Sequence, residues 1–103
     1  MSYSIIWSPR SYKTFENRID YLTENWTERE ITNFKNRVKE YLWLLKEDPL
    51  IGKRTGKRKD LHTGLIIKEV SLIYRVKAIR REIELVIFFD NRQNPKKIRK
   101  YKS

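Results

Sequence analysis

The side chains able to do chemistry in this sequence are almost all cationic. Arg92 sits in "FFDNRQNP", where two aromatics close an apolar run and Pro95 follows shortly after. A guanidinium placed there can grip a phosphate or a carboxylate through its bidentate fork. Phe88 or Phe89 is expected to anchor the strand end, Asp90 or Asn91 to close a local turn through its side chain, and Pro95 to limit the backbone beyond. A second cluster, "GKRTGKRKD", holds Lys53, Arg54, Lys57, Arg58 and Lys59 between two glycines and an acid, the densest positive charge in the chain. Lys68, Tyr74 and Arg75 lie between these groups.

Other reactive sets are sparse. His62 is the one histidine and there is no cysteine, so disulfides, thiolate sites and two-histidine metal sites are excluded. A Ser-His-Asp set would have to use that single imidazole, and His62 is read as a strand-edge residue before a general base. No carboxylate pair, acidic cluster or glycine-rich phosphate loop stands out, so neither a metal nor a cofactor is expected.

Charge narrows the partners. Lys and Arg number 24 against 13 Asp and Glu, a formal net charge of +11 on 103 residues. That field attracts polyanions: RNA, DNA, a ribosome or an acidic protein. No apolar segment reaches the ~20 residues of a membrane span, and the N-terminus "MSYSIIWSPR" lacks the pattern of a signal peptide. A cytoplasmic protein with no membrane partner is expected.

These groups must be positioned by one small domain, spanning 1–103 with a basic tail from about residue 96. "YSIIW" predicts a strand over 3–7. Ser8 and Pro9 start a helix, a hydroxyl to cap and a proline where no N–H is needed. Its apolar stripe is Tyr12, Phe15, Ile19, Leu22 and Trp26. Thr27 and Glu30 form a capping box for a second helix, with Trp26 and Ile31 as the hydrophobic staple. Its stripe runs Ile31, Phe34, Val38, Tyr41, Leu42 and Leu45 and stops near Asp48, before Pro49. Lys13, Arg18, Arg29, Lys35, Arg37 and Lys39 fall on the opposite faces and are read first as solvated charge.

From Pro49 to Asp60 the composition is that of a loop, and strands are predicted over about 62–68, 70–77 and 82–89. Strict alternation sets Ile83, Leu85, Ile87 and Phe89 on one face and Glu84, Val86 and Phe88 on the other. The order β-α-α-β-β-β describes an α+β domain, a helical hairpin packed on a small antiparallel sheet. A turn over 78–81 makes facing residues on the last two strands sum to about 160. Arg92 then lies near Lys68, and Arg75 lies far along the strand, near Leu85 and in reach of Glu84. Lys68, Arg92 and the 53–59 loop are expected to share one end of the sheet.

"SIIWSPRSYKTFENRIDYL", "DPLIGKR", "SLIYRV" and "IELVIFFDNRQNP", in this order and spacing, resemble the RelE/ParE superfamily of toxins from type II toxin–antitoxin modules, often described as plasmid stabilisation proteins. The resemblance covers nearly the whole chain. It implies the helical-hairpin-and-sheet fold, growth inhibition and an acidic cognate antitoxin. It also implies one of two targets. RelE-like toxins cut mRNA in the ribosomal A site by 2′-OH attack, a metal-independent endoribonuclease activity to which Arg92 and Lys68 would contribute. In that branch an arginine stands where this chain has Ser71, and Tyr101 lies farther past Arg92 than the pattern's C-terminal acid–base residue. ParE-like toxins poison DNA gyrase, and "IYRV" and "NRQ" are closer to that branch. Lys53, Arg54, Lys57, Arg58, Lys59 and Arg92 are then candidates for binding the target or nucleic acid, with Tyr74 and Arg75 as structural or antitoxin-side residues. A non-toxic nucleic-acid-binding module is the third reading.

Overall fold

The computed structural model describes residues 2–54 and 60–92, the side chain of Leu22 excepted. The elements run β1 (Ser4–Trp7), α1 (Pro9–Asn25), α2 (Glu28–Glu47), β2 (Lys53–Arg54), β3 (Leu61–Ile67), β4 (Val70–Lys77) and β5 (Glu82–Asp90). Both helices start where the capping residues stand. The Ser11 N–H donates to Ser8 Oγ at 3.0 Å. Thr27 and Glu30 close a reciprocal capping box. Helix α2 ends at Glu47, with Asp48 as its cap.

The sheet is five-stranded, in the order β1-β5-β4-β3-β2. Two features differ from the sequence reading. The sheet is mixed, because β1 runs parallel to β5, pairing Ser4 with Glu82 through Trp7 with Leu85. A parallel neighbour needs a crossover, but the crossover here is the whole rest of the chain, so no local pattern announces it. Lys53 and Arg54, read as loop, form the short edge strand β2 on Thr63 and His62.

The core lies between the sheet and the two helices. Phe34, Val38 and Leu45 from α2 meet Leu72, Tyr74, Ile83, Leu85 and Phe88 from β4 and β5. Trp7 stacks on Phe88 with ring centroids 5.6 Å apart, and Phe15 bridges Phe34 and Phe88 at 5.8 and 5.4 Å. Each fully buried aromatic or aliphatic side chain contributes about 1.5–3 kcal/mol by leaving water, so this cluster holds the helices on the strands.

A bulge in β5 decides which residues share the helix-covered face. The register runs Tyr74 with Leu85 and then Ile73 with Ile87, which leaves Val86 without a cross-strand partner. The alternation flips there. Ile83, Leu85, Phe88 and Asp90 pair with Val76, Tyr74, Leu72 and Val70 on one face. The strict alternation expected from sequence is therefore wrong beyond Val86. Helix α1 repairs the ladder at the bulge: Ser8 Oγ donates to the Val86 carbonyl at 3.4 Å, and the Phe88 N–H donates to Thr14 Oγ1 at 3.0 Å.

Candidate functional site

Asp90 stands at the centre of the charged site at the end of β5. Turned by the bulge toward α1, its carboxylate is almost buried, at 10% exposure. Oδ1 accepts from the Arg92 backbone N–H at 2.9 Å and from Arg92 Nε at 3.1 Å. Oδ2 accepts from Arg92 Nη2 at 3.1 Å and from Arg18 Nη1 at 2.8 Å. The backbone bond is the local side-chain turn expected at "DNR". The side-chain pair is an addition: Asp90 takes the guanidinium along one edge and folds it back onto the sheet end.

Electrostatics follow from that geometry. Burial by itself raises the Asp90 carboxyl, but hydrogen bonds from the Arg92 side chain and backbone, with the charges of Arg92 and Arg18, outweigh it and leave the group below the usual carboxylate range. The same pair raises Arg92. Tyr21 of α1 completes the cluster, its ring centre 4.8 Å from the Arg92 guanidinium and 5.8 Å from that of Arg18. By its helix position Arg18 is expected to be solvated charge. It is instead 18% exposed and ion-paired, because α1 crosses β5 where Asp90 faces it.

Asn91 ties this end to the neighbouring hairpin. Its backbone N–H donates to the Glu69 carbonyl at 2.8 Å, its Nδ2 donates to the Lys68 carbonyl at 3.1 Å, and its Oδ1 accepts from Ser71 Oγ at 2.8 Å. Arg92 and Lys68 are thus brought to the same end of the sheet, as the strand arithmetic requires.

Arg75 is elsewhere. It pairs with Glu84 in the ladder, and Val70 pairs with Asp90, so about 17 Å of strand separates Arg75 from the Asp90 rung that carries Arg92 beyond it. Its Nη1 bonds Glu84 at 3.1 Å, and its Nε lies 3.1 Å from Asp60, close enough for an ion pair though not aligned as a hydrogen bond. Tyr74 is fully buried. Its hydroxyl accepts from the Gly52 N–H at 2.9 Å and donates to the Pro49 carbonyl at 3.1 Å. His62 is buried too, stacked on Tyr74 at 5.5 Å, which suits packing and not proton transfer to a substrate.

Lys53 and Arg54 are exposed on β2. Strand β2 runs toward the Leu61 end of β3, so Arg54 and Asp60, the described flanks of the intervening loop, lie at the end of the sheet opposite Lys68 and Arg92. The expectation of a shared end does not hold for these flanks. Lys57, Arg58, Lys59, Pro95, Tyr101 and the basic tail lie outside the described residues. Among the described residues no three His, Asp or Glu side chains converge as a metal site, and no helix is long and apolar enough to cross a membrane.

A second surface feature is apolar. An apolar groove of about 740 Å³ opens between β1 and the C-terminal half of α2, lined by Ile5, Trp7, Leu42, Trp43 and Leu44, with Lys39, Lys46 and one acid, Glu40, beside them. Trp43 is 68% exposed.

No protein-family model and no curated protein matches the chain. Solved structures do. A chain of a chromosomal ParDE toxin–antitoxin system from P. aeruginosa superposes with a TM-score of 0.67 at 15% identity, over 86% of this chain and 96% of that one. The RelBE2 toxin–antitoxin complex of Mycobacterium tuberculosis gives 0.60 at 14%, over 88% and 100%. A YoeB/ParE toxin from Agrobacterium tumefaciens gives 0.60 at 14%, over 85% and 98%. The chain has the RelE/ParE toxin fold. Within that fold the Arg18–Asp90–Arg92 cluster occupies the end of the last strand, where α1, β5 and the β3–β4 turn meet.

Proposed function

We propose that this protein is the toxin of a type II toxin–antitoxin module, arresting growth in the cytoplasm until an acidic antitoxin neutralises it. The observation that carries the reading is the likeness to three toxin–antitoxin proteins over almost the whole chain. The apolar groove with its exposed Trp43, on a body of net charge +11, supports a partner that is acidic and brings apolar side chains. A plain nucleic-acid-binding module would leave growth unchanged on induced expression, and arrest is expected here.

Of the two targets we favour gyrase. Ser71 stands where the RelE-like branch has an arginine, and its hydroxyl is engaged by Asn91. His62, the one imidazole, is buried and stacked on Tyr74, which leaves it poorly placed as an acid–base group. Ribosome-dependent mRNA cleavage is the second reading, favoured by the juxtaposition of Lys68 and Arg92 through Asn91. Purified toxin should stabilise gyrase–DNA cleavage complexes and leave ribosome-bound mRNA intact. Cuts in the A-site codon with unaltered supercoiling would reverse the preference. Under either reading Arg92→Ala should remove most toxicity from a folded protein. Arg92→Lys should restore only part, since lysine keeps the charge and loses the fork.

A further inference from the structure

We propose that Asp90, locked in place by Arg18, is the positioning residue for Arg92, holding the guanidinium so that only its outer edge meets the target. The inference rests on the reading of Arg92 as a target-binding group. A guanidinium has five N–H donors on two usable edges. Asp90 engages the edge formed by Nε and Nη2. The other edge, formed by Nη1 and the second N–H of Nη2, is the fork that can take two oxygens of a phosphate or carboxylate.

The carboxylate cannot swing with the arginine. Arg18 bonds its Oδ2 from α1, and Asp90 is the last residue of β5, opposite Val70. Both guanidinium carbons lie over the Tyr21 ring, that of Arg92 nearer than that of Arg18. Arg92, at 46% exposure against 10% for Asp90, is the member that reaches solvent. Two cations and one anion leave the cluster with a net positive charge, so the clamp orients Arg92 without cancelling its attraction for an anion. A side chain fixed in its binding geometry loses less freedom on binding.

The test uses the full chain with growth arrest measured at matched intracellular protein levels. Folding is checked by circular dichroism and urea melting. Asp90→Asn replaces a carboxylate oxygen by an amide donor facing Arg92 Nη2 and Arg18. It should weaken arrest at least about tenfold, toward the hundredfold range associated with ångström-scale misplacement. Asp90→Glu keeps the charge and displaces it by one methylene, and should be impaired as well. In the Arg92→Ala background neither change should add anything, because Asp90 acts only through Arg92. The Arg92 Nη2 protons, bonded to Asp90 Oδ2 in the wild type, should lose protection from exchange in Asp90→Asn in step with the loss of arrest and without a matching fall in the urea midpoint, a combination that a purely structural role would not produce. Wild-type arrest from folded Asp90→Asn overturns the proposal, as does wild-type arrest from folded Arg18→Gln should Asp90→Asn not fold. Wild-type arrest from Arg92→Ala instead refutes the role of Arg92 itself, a different result.

Discussion

Removing one oxygen from the core should reveal how the segment after α2 is attached. Tyr74 is fully buried on β4, and its hydroxyl is the partner of two backbone groups, the Gly52 N–H and the Pro49 carbonyl. Tyr74→Phe leaves the ring packing intact and orphans both. A buried backbone group without a partner costs about 1–3 kcal/mol. Gly52 and Pro49 are only half-buried, so water can reach part of the gap, and the lower half of that range applies to each. The expected loss is about 2–4 kcal/mol, a fall in Tm of roughly 10–20 °C for a domain of this size. Urea unfolding followed by circular dichroism measures it, with Tyr12→Phe as control; Tyr12 is half exposed and its change should stay within about 0.5 kcal/mol. The same substitution should alter the alkaline limb. Burial, reinforced by Tyr41, raises Tyr74 far above its ordinary value near 10, against the opposing bond from Gly52. The unfolded chain therefore releases this proton first. The contribution is intact below about pH 10 and is lost as pH rises toward the folded value. Tyr74→Phe should flatten that decline. A midpoint within experimental error of wild type, with an unchanged alkaline limb, would show that the hydroxyl is not the tie described.

Three further outcomes are expected. A Cβ on Gly64 would run into the Tyr41 hydroxyl and ring, so Gly64→Ala should destabilise by about 1–3 kcal/mol, and combining it with Tyr41→Ala should cost less than the sum of the two, as measured by a double-mutant cycle in urea. Asp90 is held below its ordinary value near 3.8, so its contribution is complete above about pH 4 and lost as pH falls through the folded value; acid titration of Asp90→Asn should show a shallower loss of stability than wild type. Thr27→Ala removes a bond to the Glu30 N–H and should cost about 1 kcal/mol in the same assay, with no change in growth arrest per folded molecule.

Much of the scaffold is legible without coordinates. Ser8-Pro9, Thr27 with Glu30, and Asp48-Pro49 mark helix ends through interactions within one turn, so a single pass along the chain finds them. The 78–81 turn sets the β4–β5 register to within one residue, and with it the Arg75–Glu84 pair and the approach of Arg92 to Lys68. The clamp on Arg92 is different. The spacing of Asp90 and Arg92 allows a local turn, but nothing in "FFDNR" says that Asp90 faces the helices. The Val86 bulge decides that, and it carries no glycine or other signal in the sequence. Arg18, 72 positions away from Asp90, looks like any other solvated cation on a helix until α1 is laid across β5. The parallel β1–β5 pairing and the edge strand β2 are equally silent. Caps, turns and periodicity are properties of neighbours in the chain, whereas bulges, strand partners and ion pairs across the fold are chosen by packing between segments far apart in sequence.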